Sequence, residues 1–149
     1  MNLSQHIAIA FTLFLTAAAP ASVASDALEA EVQAVYDSKL KELFLYFHQN
    51  PELSTMEHKT SARLAEELTA LGYTVHRNVG GTGIVALLEN GDGPLVMFRA
   101  DMDGLPVEEK SGLAYASRAK QIDTNGNEVF VMHACGHDVH ITSLVGTAQ

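Results

Sequence analysis

The sequence predicts an α/β fold in which two helices lead into a sheet and a further helix comes after it. Two observations carry this. Apolar residues recur at three- and four-residue spacing as far as residue 71, the period of a helix with one buried face. Beyond it the period changes, and continuous Val/Ile/Leu-rich runs take over at 84–88 and 95–100. Such runs suit strands covered on both faces, as in a parallel or mixed sheet flanked by helices.

At the N-terminus, IAIAFTLFLTAAA (7–19) is an apolar run too short to span a bilayer comfortably. Small residues come next, with Ser22 and Ala24 at −3 and −1 of a cleavage after Ala24. Residues 1–24 therefore read as a secretory signal, although MNLSQH carries no Lys or Arg. A buried N-terminal helix or an uncleaved anchor are the alternatives. Residues 25–149 form the folded part. A helix is predicted over 26–49, with Asp26 as N-cap and Leu28, Val32, Val35, Leu40, Leu43 and Phe47 on its apolar side. Asn50-Pro51 ends it, because the residue before proline avoids the α region. Ser54 followed by Glu57 is a capping-box pattern, so a second helix is expected from there, with Ala62, Ala65, Leu68 and Leu71 inward and Gly72 just past its end. YTVHRN (73–78), IVALL (84–88) and LVMFRA (95–100) read as strands. DTNGNE (123–128) holds an Asn-Gly pair and reads as a hairpin turn, and ITSLVGTAQ starts as a helix. The order of elements suggests the N-terminal part of a longer domain.

Composition narrows the function classes. The chain has 149 residues, is 47% hydrophobic and carries a net charge of −9, so it can build a core and presents no basic footprint for nucleic acid or anionic membrane. It has one cysteine, which cannot form a disulfide within the chain. The glycines of VGGTGIVALL lack the third glycine of a dinucleotide loop, and a strand comes where a helix is needed.

Chemistry concentrates in two places. VMHACGHDVH (131–140) places His133, Cys135, His137 and His140 within ten residues. If the run is extended, residues 133, 135 and 137 point to one side, two imidazoles and a thiolate together. If it is helical, His133 and His137 share a face without Cys135. The extended form makes the better metal site, suited to zinc, cobalt or a similar ion. Asp138 and His140 are candidates for orienting a ligating imidazole. The alternatives are a polar loop with incidental histidines, or Cys135 as a nucleophile. The second place is FRADMDGLPVEE (98–109), where Asp101 and Asp103 are spaced to face one side at a strand end. Together they could bind a cation or hold a ligating histidine. A solvated acidic turn is the bland alternative, and Glu108 and Glu109 are expected to be exposed.

HQNPELSTMEHKT (48–60), FRADMDGLPVEE and VMHACGHDVH, in that order, resemble the N-terminal part of the metal-dependent amidohydrolases related to aminoacylase and carboxypeptidase G. The branch is that of hippurate hydrolase, indole-acetyl-amino-acid hydrolase and N-acetyl-diaminopimelate deacetylase. The resemblance implies a mixed-sheet, metallopeptidase-like catalytic domain, cut before an inserted dimerisation domain that would make the full-length protein a homodimer. It implies Cys135 and His137 as metal ligands and Asp103 as a catalytic residue beside the ligating histidine. Asp101, His133, Asp138 and His140 belong to the motifs as supporting residues or possible ligands. The many relatives that place an aspartate like Asp103 beside the metal-bound histidine carry His where Asp101 stands, which sets Asp101 apart from that pattern. The cofactor implied is a divalent metal, two ions of zinc, manganese or cobalt per complete site, and the substrate an N-acyl amino acid. The glutamate pair that serves the family as base is matched by neither Glu108-Glu109 nor Glu66-Glu67. A non-catalytic metal-binding module and a redox-sensing thiol protein are the alternative functions.

Overall fold

The computed structural model describes residues 21–149. The expected signal segment, 1–24, lies outside them except for its last four residues, whose backbone opens the first helix. That helix, α1 (Ala21–Val35), runs through a π-helical turn (Tyr36–Leu40) into α2 (Lys41–Gln49). Asp26 is thus an interior residue and not the N-cap. The helix already begins five residues ahead of it, at Ala21. Leu28 and Val32 are exposed, whereas Leu40, Leu43 and Phe47 are buried. The added residue of the π turn rotates α2 relative to α1, so one apolar stripe does not run the whole length. Asn50 ends α2 as expected, its side-chain amide donating to the Tyr46 carbonyl at 2.8 Å.

α3 (His58–Ala70) starts later than the capping-box pattern places it. Ser54 is exposed and caps nothing. The Glu52 carboxylate does so instead, accepting from the N–H groups of Lys59 at 3.2 Å and Thr60 at 2.7 Å and from the Thr60 hydroxyl at 2.9 Å. Thr55, with a left-handed φ of 67°, turns the chain and frees Glu57 for other partners. These are the Thr55 N–H at 2.9 Å and the Thr82 hydroxyl at 2.6 Å. Leu64, Ala65 and Leu68 are buried, and Glu67 pairs with Lys39 and Arg63, each at 2.8 Å. Those cations outweigh the upward push of burial and hold the Glu67 carboxyl below its usual value.

The strands form two separate antiparallel hairpins. β1 (Thr74–Val79) pairs with β2 (Gly83–Leu87), and β3 (Lys120–Ile122) with β4 (Glu128–Phe130). The Asn-Gly turn is present as expected: the Asp123 carboxylate accepts from the N–H groups of Asn125 and Asn127 at 2.9 and 2.8 Å. The strand expected at 95–100 does not form, and Leu95, Val96, Met97 and Phe98 are 89, 67, 83 and 65% exposed. An apolar run becomes a strand only beside a ladder partner, and none of the described residues provides one. The doubly covered sheet is therefore not assembled within residues 21–149.

The core lies between helices. Leu40, Leu43, Phe47, Leu64, Ile141 and Val145 interlock α2, α3 and α4 (His137–Thr147). Each such side chain contributes about 1.5–3 kcal/mol on burial. At Gly146 a Cβ would lie 2.7 Å from a Leu40 methyl, so the absent side chain lets α4 seat on the π turn. Among the described residues no helix is long and apolar enough to cross a membrane.

Candidate metal centre

Backbone pairing brings the two chemical stretches together. The Gly104 N–H donates to the Glu52 carbonyl at 2.6 Å, and Leu105 and Met132 exchange N–H···O bonds at 2.8 and 3.1 Å. A Cβ at Gly104 would sit 2.8 Å from Val131 and 2.9 Å from Pro51, so only glycine lets these three loops meet. Asp103, one residue earlier, is thereby delivered to the head of α4.

The histidine run takes neither the extended nor the helical form that its spacing suggests. Residues 133–136 make a turn closed by the Gly136 N–H on the His133 carbonyl at 3.1 Å. Gly136, at φ 75°, then reverses the chain, and His137 is the first residue of α4. Period-two alternation therefore does not apply. Cys135 is exposed. His137 Nδ1 lies 2.9 Å from both the carboxylate and the main-chain carbonyl of Asp103. Both partners are acceptors, so Nδ1 carries the proton and Nε2 keeps its lone pair.

The remaining candidates separate. His133 is buried and neither ring nitrogen makes a well-formed hydrogen bond. Burial lowers its basicity, against the charge of Asp138 and the nearby Asp103 backbone, which raise it. The His140 ring lies 5.5 Å from that of His137, tilted by 35°, and is exposed. Asp101 does not join Asp103; it is an exposed partner of Arg99. The strand end that would have aligned the two is missing.

Asp138 orients an imidazole, but that of His48. His48 Nδ1 is 2.7 Å from its carboxylate, and His48 Nε2 is 3.3 Å from Glu109. Glu109 is buried, contrary to the expected exposure, while Glu108 is open. Its carboxylate also accepts from the Ser111 hydroxyl and from the Ser117 N–H at 2.5 Å. Burial pushes the Glu109 carboxyl up, but these donors and His48 prevail and hold it below the usual value. Sequence reasoning gave His48 and Glu109 no role. They are 61 residues apart in the chain, and the only available signal was that both fall inside the motif stretches 48–60 and 98–109.

The donors present fit part of a metal site. A thiol and an imidazole of fixed tautomer suit zinc or cobalt, and the orphaned nitrogens of buried His133 mark this turn as the place where polar satisfaction fails. Among the described residues no group of three or more His, Cys, Asp or Glu side chains is placed to hold a metal ion.

A carboxylate-held imidazole beside an exposed thiol, at the head of a helix in a mixed α/β fold, defines a piece of a metallopeptidase-type catalytic domain. The sequence profile of Peptidase family M20/M25/M40 matches residues 97–149. Thermostable carboxypeptidase 2 of Saccharolobus solfataricus is 46% identical over 103 residues, 68% of this chain and 24% of its own length. Hippurate hydrolase of Campylobacter jejuni is 41% identical over 103 residues, again 68% of this chain and 24% of its own. A Bacillus subtilis structure, described as a dinuclear metal binding peptidase from the M20 family, superposes with a TM-score of 0.65 at 32% identity, covering 77% of this chain and 30% of that one. The chain belongs to this family and spans about a quarter of the length of the curated relatives it matches.

Proposed function

We propose that this chain supplies part of the metal site of a hydrolase that cleaves the amide bond of N-acyl amino acids. The observation that carries the reading is the Asp103–His137 pair, which fixes the imidazole tautomer and leaves Nε2 as a donor. Cys135 and His137 would hold the metal, zinc, manganese or cobalt, with two ions in the complete site. When bound, a divalent ion supplies Lewis acidity, polarising an amide carbonyl and lowering the pKa of a water. Asp103 keeps the proton at Nδ1 and stops the ring from turning. Gly136 supplies the sharp bend between the two donors. No base comes from Glu109 or Glu67, whose carboxylates are committed to His48, Lys39 and Arg63. The proton acceptor therefore has to come from elsewhere in the whole protein, and the 149-residue chain alone is expected to show little activity. Export through residues 1–24 and a homodimer of the whole protein belong to the same reading; the mature chain would then begin at Ser25. Nucleic acid and membrane are not expected partners.

The test is amino-acid release by the whole protein from N-acyl amino acids and dipeptides, with chelator and then with each metal restored. Activity should vanish with chelator and fall at least about a hundredfold in Cys135→Ser and in His137→Ala. Activity indifferent to chelator would overturn the reading. A folded, metal-loaded and inactive protein would favour a non-catalytic binding module. A Cys135 thiol that reacts equally fast with and without chelator would favour thiol sensing instead.

A further inference from the structure

One side chain outside the thiol–imidazole pair governs its geometry. His48, in the last turn of α2, packs against Phe44 and Tyr115, with ring centroids 5.5 and 5.2 Å away. Its two nitrogens face two carboxylates, Asp138 and Glu109, whose side chains are 3 and 2% exposed. Each nitrogen has a carboxylate within hydrogen-bond reach, so one side chain ties α2, the loop at 109–117 and the first turn of α4. Asp138 is fastened on its own side as well. Its second oxygen accepts from the Val139 N–H at 2.9 Å, and its carbonyl accepts from the Thr142 hydroxyl at 2.7 Å. Successive helical residues are about 100° apart around the axis. With Asp138 pinned towards α2, the side chain just before it is aimed around the helix, and for His137 that direction is Asp103.

We propose that His48 is a positioning residue for His137: by clamping Asp138 and Glu109 it sets the rotation of α4 that brings His137 Nδ1 onto Asp103. The proposal rests on the metal reading for its consequence but not for its geometry. Leaving Asp138 and Glu109 without their shared partner would let the first turn of α4 rotate, and His137 would lose its single tautomer.

The experiment uses the whole protein, labelled with ¹⁵N at histidine and stripped of metal, with the His137 signals assigned by comparison with His137→Asn. Wild type should show His137 protonated at Nδ1 alone. His48→Phe keeps the ring volume and aromatic packing but removes both nitrogens. It should show mixed tautomers at His137 and a cobalt affinity about ten- to a hundredfold weaker. His48→Gln, which keeps one donor, should recover part of both, and it carries the test if the Phe variant does not fold. Leu43→Ala, a core truncation in the same helix, should lower the Tm and leave tautomer and affinity alone. The proposal is overturned if His48→Phe keeps the wild-type tautomer, or if Leu43→Ala disturbs His137 equally. A wild type that binds no cobalt would remove the metal reading, while the nitrogen spectra would still decide the clamp.

Discussion

Two imidazoles, His133 buried and His48 half-buried, lie close to α4 and are treated in opposite ways. His48 has a carboxylate on each ring nitrogen, whereas His133 makes no well-formed hydrogen bond on either. The first belongs to a closed polar network whose members are satisfied by hydroxyls, backbone N–H groups and one another. The second sits in the turn that presents Cys135 and His137. Buried polar groups are normally paired, because an orphan forfeits its hydration without compensation. The difference sets a satisfied joint at His48 against an unsatisfied ring in the 133–137 turn. Local rules of satisfaction fail where a site is built for something else to bind.

The comparison is broken most forcefully at Asp138. Asp138→Ala leaves His48 facing one carboxylate and should cost about 3 kcal/mol, the upper end for removing a buried hydrogen-bond partner. Urea unfolding would measure it, and a cost under about 1 kcal/mol would mean that the network is looser than its distances. Glu109→Gln should cost less, about 1–3 kcal/mol, and it carries a pH signature. The native Glu109 carboxyl lies below its ordinary value of 4.5. The native state therefore binds fewer protons there than the unfolded chain does. The stability from Glu109 is complete above that ordinary value and is lost as pH falls through the lower native one. Wild type should lose stability steeply on that acid limb, and Glu109→Gln should lose it less steeply. Equal slopes would separate Glu109 from the acid transition.

His133 provides the opposite outcome. His133→Leu replaces two unpartnered nitrogens by carbon, so the metal-free protein should change by less than about 1 kcal/mol, or gain. A fall in Tm matching that of Asp138→Ala would show that His133 is as firmly engaged as His48.

How much of this was legible in the sequence depends on whether the causes were local. The Asn50-Pro51 stop, Gly72 and the Asn125-Gly126 turn act over a few residues, and each is found where expected. The resemblance named the right family. What failed depended on partners far along the chain. LVMFRA has the pattern of a buried strand but no neighbour among the described residues. Ser54 has the pattern of a cap, yet Glu52 reaches the helix first because Thr55 turns the chain. The alternation expected across 133–137 is cancelled by one left-handed glycine. Glu109 reads as half of an exposed acidic pair, and only the fold brings His48 to it.

The smallest expected effect is at Asp101, where two identical residues two positions apart invite the same role. Asp101 is 47% exposed at its side chain and its partner Arg99 is 77% exposed. Surface pairs of that kind contribute about 0–1 kcal/mol. Asp101→Asn should therefore leave the Tm within about half a degree per tenth of a kcal/mol lost, with metal affinity unchanged. Asp103→Asn is the matched comparison. An amide can turn its NH₂ towards His137, so the ring is no longer confined to the Nδ1–H form, and affinity should fall about tenfold or more. Equal effects at the two positions would mean that Asp101 also reaches the metal. The two aspartates would then share the role that the geometry gives to Asp103 alone.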